Sequence, residues 1–176
     1  FHGFRYVEIT GVDKAPAPQD VKGVVIHSDI PRTAEFEASN PLLTQLARNI
    51  LWGQKGNYLE VPTDCPQRDE RLGWTGDAQF FMPTALYTAD IGAFHTKWLV
   101  DLVQDAQLDD GSFAHVAPNV NQGGGAVAWG DAAMICPYLM YRFYGDTRVI
   151  EQHFDRMVRG MDFLEKASKD CIRDKL

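Results

Sequence analysis

Apolar side chains recur at two different periods along this chain. Residues 4–10, Phe-Arg-Tyr-Val-Glu-Ile-Thr, alternate large apolar with polar positions, the period of a half-buried strand. Val24, Val25 and Ile26 form a β-branched run inside residues 23–28 that predicts a second strand. Between them Gly11 to Asp20, with Pro16 and Pro18, reads as a turn or linker. Two strands do not make an independent sheet, so they are expected to close a β unit whose earlier part lies outside this sequence.

From Asn40 the period becomes helical. Asn40 is placed as an N-cap, Pro41 suits the first helical position, and Leu43, Leu46, Ala47, Ile50 and Leu51 then fall on one face, which predicts a helix over 40–55. A second helix is predicted from Thr75 or Gly76 to Thr88. A third starts at Asp90, with Ile91, Phe94, Trp98, Leu102 and Ala106 on one buried stripe. Two more are predicted over 131–144 and 147–168, the last carrying Ile150, Phe154, Met157, Met161 and Leu164 on one face. Pro83 and Pro137 lie inside two of these helices and count against them, because an interior proline removes a backbone hydrogen bond. Two strands followed by five helices, joined by alternating long and short loops, suit an antiparallel helical array.

Composition narrows the function classes. The 176 residues are 45% hydrophobic, ample for the core of one domain with a small appendage. A net charge of −7 and the absence of a basic patch argue against nucleic acid or an anionic membrane as partner. No apolar run reaches the length of a membrane-spanning helix. Cys65, Cys136 and Cys171 are odd in number and widely spaced, which predicts reduced thiols and leaves the compartment open. The chain starts at Phe1, in what reads as mid-strand, and is expected to be a piece of a longer protein.

The chemistry concentrates between Pro62 and Gln79. That stretch holds four carboxylates (Asp64, Asp69, Glu70, Asp77), Arg68, Arg71 and Trp74, in a segment too long for a plain connection. Glycoside hydrolysis needs one protonated carboxylic acid for the leaving oxygen and a second carboxylate as base or nucleophile, and aromatic rings pack well on sugar C–H faces. Asp64, Glu70, Asp77 and Trp74 would supply that chemistry. Plainer readings stay open at this point. Asp77 would complement a helix dipole, the Arg68-to-Arg71 run would be a solvated salt-bridge cluster, and Trp74 would be core. A calcium loop is a further reading, although the regular Asp-x-Asp-x-Asp-Gly spacing is missing.

Elsewhere the signals are weaker. Asp109-Asp110-Gly111 is a turn signal, and Trp129-Gly130-Asp131 is either a pocket lip or a helix start with Asp131 as N-cap. His2, His27, His95, His115 and His153 have no metal-ligand spacing, and on a helix His95 and His153 are expected to be structural. No serine sits in a G-x-S-x-G setting, and Gly123–Gly125 lacks the Lys-Ser/Thr of a phosphate loop.

The run Asp64-Cys65-Pro66-Gln67-Arg68-Asp69-Glu70-Arg71-Leu72-Gly73-Trp74-Thr75-Gly76-Asp77 closely resembles the signature of bacterial α-L-rhamnosidases of glycoside hydrolase family 78. Phe1 to Val7, His27-Ser28-Asp29, Asn49 to Gln54 and Trp129 to Ala132 also resemble family patterns, so the likeness covers essentially the whole chain. The resemblance implies an incomplete (α/α)6 barrel, with residues 1–31 as the last strands and linker of a β-sandwich domain and 32–176 as the first part of the catalytic domain. It implies an inverting mechanism that releases terminal L-rhamnose from rhamnose-containing glycosides or oligosaccharides, without cofactor or metal. Carried over by position, Glu70 would be the general acid. Asp64, Arg68 and Asp77 would bind the sugar hydroxyls, and Trp74 and Trp129 would line the pocket.

The family's general base is a glutamate further downstream than Leu176, so these residues alone are expected to be catalytically incomplete. They would also expose helix faces that could support self-association. Two alternatives remain at this stage: another helical-barrel glycosidase or lyase with the same acid, and a non-catalytic carbohydrate-binding or interaction module. A purely structural helical array is a third.

Overall fold

Asn40 starts the helical part as its sequence setting predicts. Its Oδ1 accepts a hydrogen bond from the Leu42 N–H at 3.0 Å, with Pro41 at the first helical position, and helix α1 runs Pro41–Asn57. The computed structural model describes residues 1–173. After α1 the chain makes a two-stranded antiparallel hairpin, β1 (Tyr58–Leu59) and β2 (Val61–Pro62), turning at Glu60 with φ 64°. Helix α2 spans Thr75–Thr88 and runs through Pro83. Helix α3, Gly92–Leu99, widens into a π turn over Val100–Asp105 instead of continuing as one α-helix to residue 106. Helix α4 spans Ala132–Tyr144 through Pro137 and stops at Gly145, whose φ of 67° suits a residue without a Cβ. Helix α5 spans Arg148–Lys166.

Helix α4 is the centre of the helical layer and packs against α2, α3 and α5. The core lies where these meet: Met82, Ile91, Trp98, Leu99, Leu102, Phe113 and Cys136 are all buried. The predicted stripe on the third helix is realised, with Ile91, Trp98, Leu102 and Ala106 inaccessible and Phe94 partly buried. All three cysteines are unpaired. Among the described residues no helix is long and apolar enough to cross a membrane.

Two expectations, the strands and the face of α5, are corrected. Residues 4–10 and 23–28 form no ladder; they have no neighbouring strand among the described residues, and a strand exists only through its partners. The apolar face of α1 is exposed, in line with the expected exposure of helix faces: Leu43 is 48% and Leu46 54% accessible, because α1 packs mainly on β1 and leaves that face uncovered. On α5 the buried positions are Val149, His153 and Gly160, while Phe154 and Met161 are 55% and 53% exposed. Gly160 decides that face. A methyl there would come 2.4 Å from the Phe113 ring, so the close approach selects the Gly160 side of the helix over its more apolar neighbour.

Candidate functional site

The segment between β2 and α2 is held as a closed loop. The Asp64 N–H donates to the Leu72 carbonyl at 3.1 Å, and the Arg68 N–H to the Cys65 carbonyl at 3.2 Å. Cys65 adopts φ 48° and donates its thiol to Asp64 Oδ2 at 2.6 Å; that bond, with partial burial, pushes the thiol pKa up. The other Asp64 oxygen, Oδ1, is buried and has no hydrogen-bond partner among the described residues. A buried carboxylate oxygen left unpaired is a costly arrangement unless a ligand group completes it.

Downstream, the loop is locked to the 113–130 segment. Gly73 accepts from the Ala117 N–H at 2.9 Å, and a methyl on Gly73 would overlap the Ala117 carbonyl oxygen at 2.1 Å. Trp74 forms an isolated antiparallel bridge with Val116. Thr75, fully buried, donates its N–H to the His115 carbonyl at 2.9 Å, and its hydroxyl lies 3.0 Å from that carbonyl and 2.8 Å from the Trp129 carbonyl. His115 in turn accepts the Ala126 N–H on Nε2 at 3.0 Å, so its proton sits on Nδ1 and points to the Gln122 carbonyl at 3.1 Å. Its ring stands edge-on to the Trp129 indole, with centroids 6.3 Å apart. Asp131 does not cap α4 with its side chain; Oδ2 reaches back to the Ala128 N–H at 2.8 Å and shapes the turn that carries Trp129.

These contacts frame a cavity of about 760 Å³ whose wall includes Asp64, Cys65, Gly76, Asp77 and Trp129. Its volume lies in the usual range for small-ligand sites. Asp77 projects from the first turn of α2. Its pKa is raised, first by partial burial and then by the Asp64 charge, with Glu70 adding to the effect and its own backbone N–H opposing it.

The sequence-derived residues divide in the structure. Asp64, Asp77 and Trp129 line the cavity, whereas Glu70, Arg68 and Trp74 are not part of its wall. Glu70 is nevertheless beside it: its carboxylate, the Cys65 sulfur and an Asp64 oxygen all lie within 4.8 Å of one another. Arg68 pairs with Glu70 at 2.5 Å, and the two side chains are 59% and 39% exposed. Arg71 turns away and meets Phe1, donating to its carbonyl, with the guanidinium 5.3 Å from its ring. The indole of Trp74 is half-buried, with its Nε1 unpartnered among the described residues.

Sequence reasoning missed Thr75, His115 and the two glycines as site-builders. Thr75 and the glycines had a visible signal, since Gly73-Trp74-Thr75-Gly76 puts small residues around the indole; His115 had none, because its partners are backbone groups far along the chain.

Comparison with known proteins places the chain. Residues 31–176 match the family described as bacterial alpha-L-rhamnosidase 6 hairpin glycosidase domain, and residues 1–27 the one described as bacterial alpha-L-rhamnosidase concanavalin-like domain. An alpha-L-rhamnosidase of Streptomyces avermitilis is 51% identical over 174 residues, covering 98% of this chain and 17% of its own. One of Formosa agariphila is 43% identical over 175 residues, covering 98% and 19%. The solved alpha-L-rhamnosidase from Dictyoglumus thermophilum superposes with a TM-score of 0.94 at 40% identity, over 99% of this chain and 20% of that one. The Streptomyces avermitilis alpha-L-rhamnosidase complexed with L-rhamnose superposes with a TM-score of 0.78 at 50% identity, over 81% and 14%. The chain thus spans roughly a fifth of the length of the relatives it matches.

Proposed function

Because the chain belongs to the bacterial α-L-rhamnosidase family, we propose that it carries the acid half of an inverting glycosidase site acting on terminal α-L-rhamnose. Residues 1–31 are read as the end of a β-sandwich domain, and 32–176 as the opening part of the catalytic barrel. The observation that carries the reading is the convergence of the Glu70, Asp64 and Cys65 side chains within 4.8 Å beside a cavity walled by Asp77 and Trp129.

On this reading Glu70 donates its proton to the departing glycosidic oxygen. In the free site its carboxylate accepts from Arg68, so substrate binding must leave one oxygen free to present that proton to the leaving group. Asp64 and Asp77 accept hydrogen bonds from sugar hydroxyls; the unpartnered Asp64 oxygen is a ready acceptor. Arg68 contacts the sugar or sets the position of Glu70, and Trp129 packs against the ring face. Trp74 lies outside the cavity wall and its role in the pocket rests on the family resemblance alone. An inverting reaction needs a second carboxylate about 6.5–9.5 Å from the first, with water between; no carboxylate of this chain is assigned that role. The 176 residues alone are therefore expected to lack turnover.

The test is Glu70→Gln in the full-length protein, assayed on an α-L-rhamnoside with an unactivated alcohol leaving group, whose departure needs the proton. Loss of a general acid costs about 10²- to 10⁴-fold, and undiminished hydrolysis would remove Glu70 from the reaction.

A further inference from the structure

Behind the candidate site lies a second cavity of about 450 Å³, between α1, the extended strap 27–32 and the end of α2. Gln54 and Tyr58 belong to the walls of both cavities, so the two sit back to back. The second is differently charged. Arg32 comes from the strap, and Arg48 and Lys55 stand two turns apart on one face of α1, with Trp52 between them. Asp29 is the sole carboxylate among the described lining residues.

None of the three cations is in an ion pair among the described residues, where the ion pairs are Arg68–Glu70, Lys97–Asp101 and Arg148–Asp146. Arg32 donates only Nε, to the Ala34 carbonyl at 2.7 Å, and Lys55 rests its ammonium 5.1 Å from the Trp52 ring centroid. Three cations against one carboxylate make the lining of this cavity net positive, on a chain whose net charge is −7. Guanidinium and ammonium donors fit an oxyanion through charge-assisted hydrogen bonds.

The walls are fixed in advance. The strap is pinned on both sides by backbone bonds: Ser28 N–H to the Tyr58 carbonyl at 2.8 Å, Thr33 N–H to the Thr88 carbonyl at 3.1 Å, and Asp90 N–H to the Pro31 carbonyl at 2.8 Å. Its ends cannot drift from α1 and α2 without breaking them. Such preorganisation lowers the ordering cost of binding.

We propose that this cavity is an oxyanion-binding site, taking a carboxylate or sulfate group between Arg32, Arg48 and Lys55 against the Trp52 indole. Such a group could arrive as a free inorganic anion or as an acid substituent on a sugar, for which the indole offers a stacking plane. The site is separate from the carboxylate loop and stands whether or not Glu70 is the acid.

The experiment is calorimetric titration of the protein with sodium sulfate, D-glucuronate and uncharged D-glucose at fixed ionic strength, repeated on Arg48→Gln and Lys55→Gln. Both residues are exposed on α1, and an unchanged thermal melt checks that each variant folds. The expected result is binding of at least one charged probe, weakened about tenfold or more in each variant, with glucose silent. Glucuronate binding that sulfate does not displace assigns the site to an acid on a sugar, and sulfate binding with glucuronate silent assigns it to the free anion. No binding by either charged probe, or binding unchanged in both variants, would overturn the proposal.

Discussion

The Trp129 indole lies directly over Gly76: a Cβ at that glycine would come 3.1 Å from two carbons of the ring fusion and 3.2 Å from Nε1. Gly76 thus sets how deeply the indole settles onto the start of α2. A Gly76→Ala change puts two effects in opposition. Removing a helical glycine favours folding by about 0.4–1 kcal/mol, while the added methyl pushes the ring outward. The expected outcome is a melting temperature near the parent value, altered tryptophan fluorescence and, on the proposed function, L-rhamnose affinity reduced severalfold in the full-length protein. Unchanged affinity and emission would show that Trp129 does not depend on that contact.

Thr75 ties the same ring to the opposite wall. Its hydroxyl is buried and within hydrogen-bond distance of the His115 and Trp129 carbonyls. Thr75→Val keeps the shape and removes the donor. Both carbonyls retain a second partner, the Thr75 N–H and the Ala132 N–H, so the cost falls near the ordinary hydrogen-bond contribution of about 1 kcal/mol. Urea unfolding measures it, and Thr75→Ser, which restores the hydroxyl, should recover most of the loss.

The helices were legible because their end signals are local. Asn40-Pro41 states where α1 begins, and the 91–106 stripe which face of the third helix is buried. The α5 face was not legible, because Gly160 is buried against Phe113 and Met134, and a glycine carries no hydrophobic signal. The same limit explains the site. The carboxylates could be read from residue type, but whether each faces the cavity depends on Leu72, Ala117 and Ala126 backbone groups that the local sequence does not mark.

Asp77 gives a pH-dependent prediction whose sign follows from its raised pKa. The folded state holds the Asp77 proton more tightly than the unfolded chain, whose value is near 3.8. Asp77 is therefore neutral in both states at low pH, and its ionisation disfavours the fold as pH rises through the folded value. Asp77→Asn should melt above the parent at pH 7, with the gap closing toward pH 3.5. A gap that is equal at both pH values would show that the site does not disfavour the Asp77 charge.

His95 offers the opposite sign in the core. Its ring is inaccessible, packed against Tyr58, Phe94 and Trp98, and neither ring nitrogen has a hydrogen-bond partner among the described residues. Burial pushes its pKa down to about 3, with the Ile91 carbonyl offsetting part of the shift. Above pH 6.5 the imidazole is neutral in both states, and the fold keeps its full stability. Between 6.5 and about 3 the unfolded chain takes a proton that the core refuses, so stability falls with pH by as much as about 1.4 kcal/mol per unit, roughly 2 kcal/mol by pH 5. His153, also lowered by burial, contributes in the same direction. His95→Phe removes the titrating group and leaves no unpaired ring nitrogen, so the absolute stability at pH 7 should change little. The readout is the slope: chemical unfolding from pH 7 to pH 4 should be distinctly flatter in His95→Phe than in the parent. Parallel slopes would place the acid sensitivity elsewhere, and His153→Phe would then be the variant that flattens it.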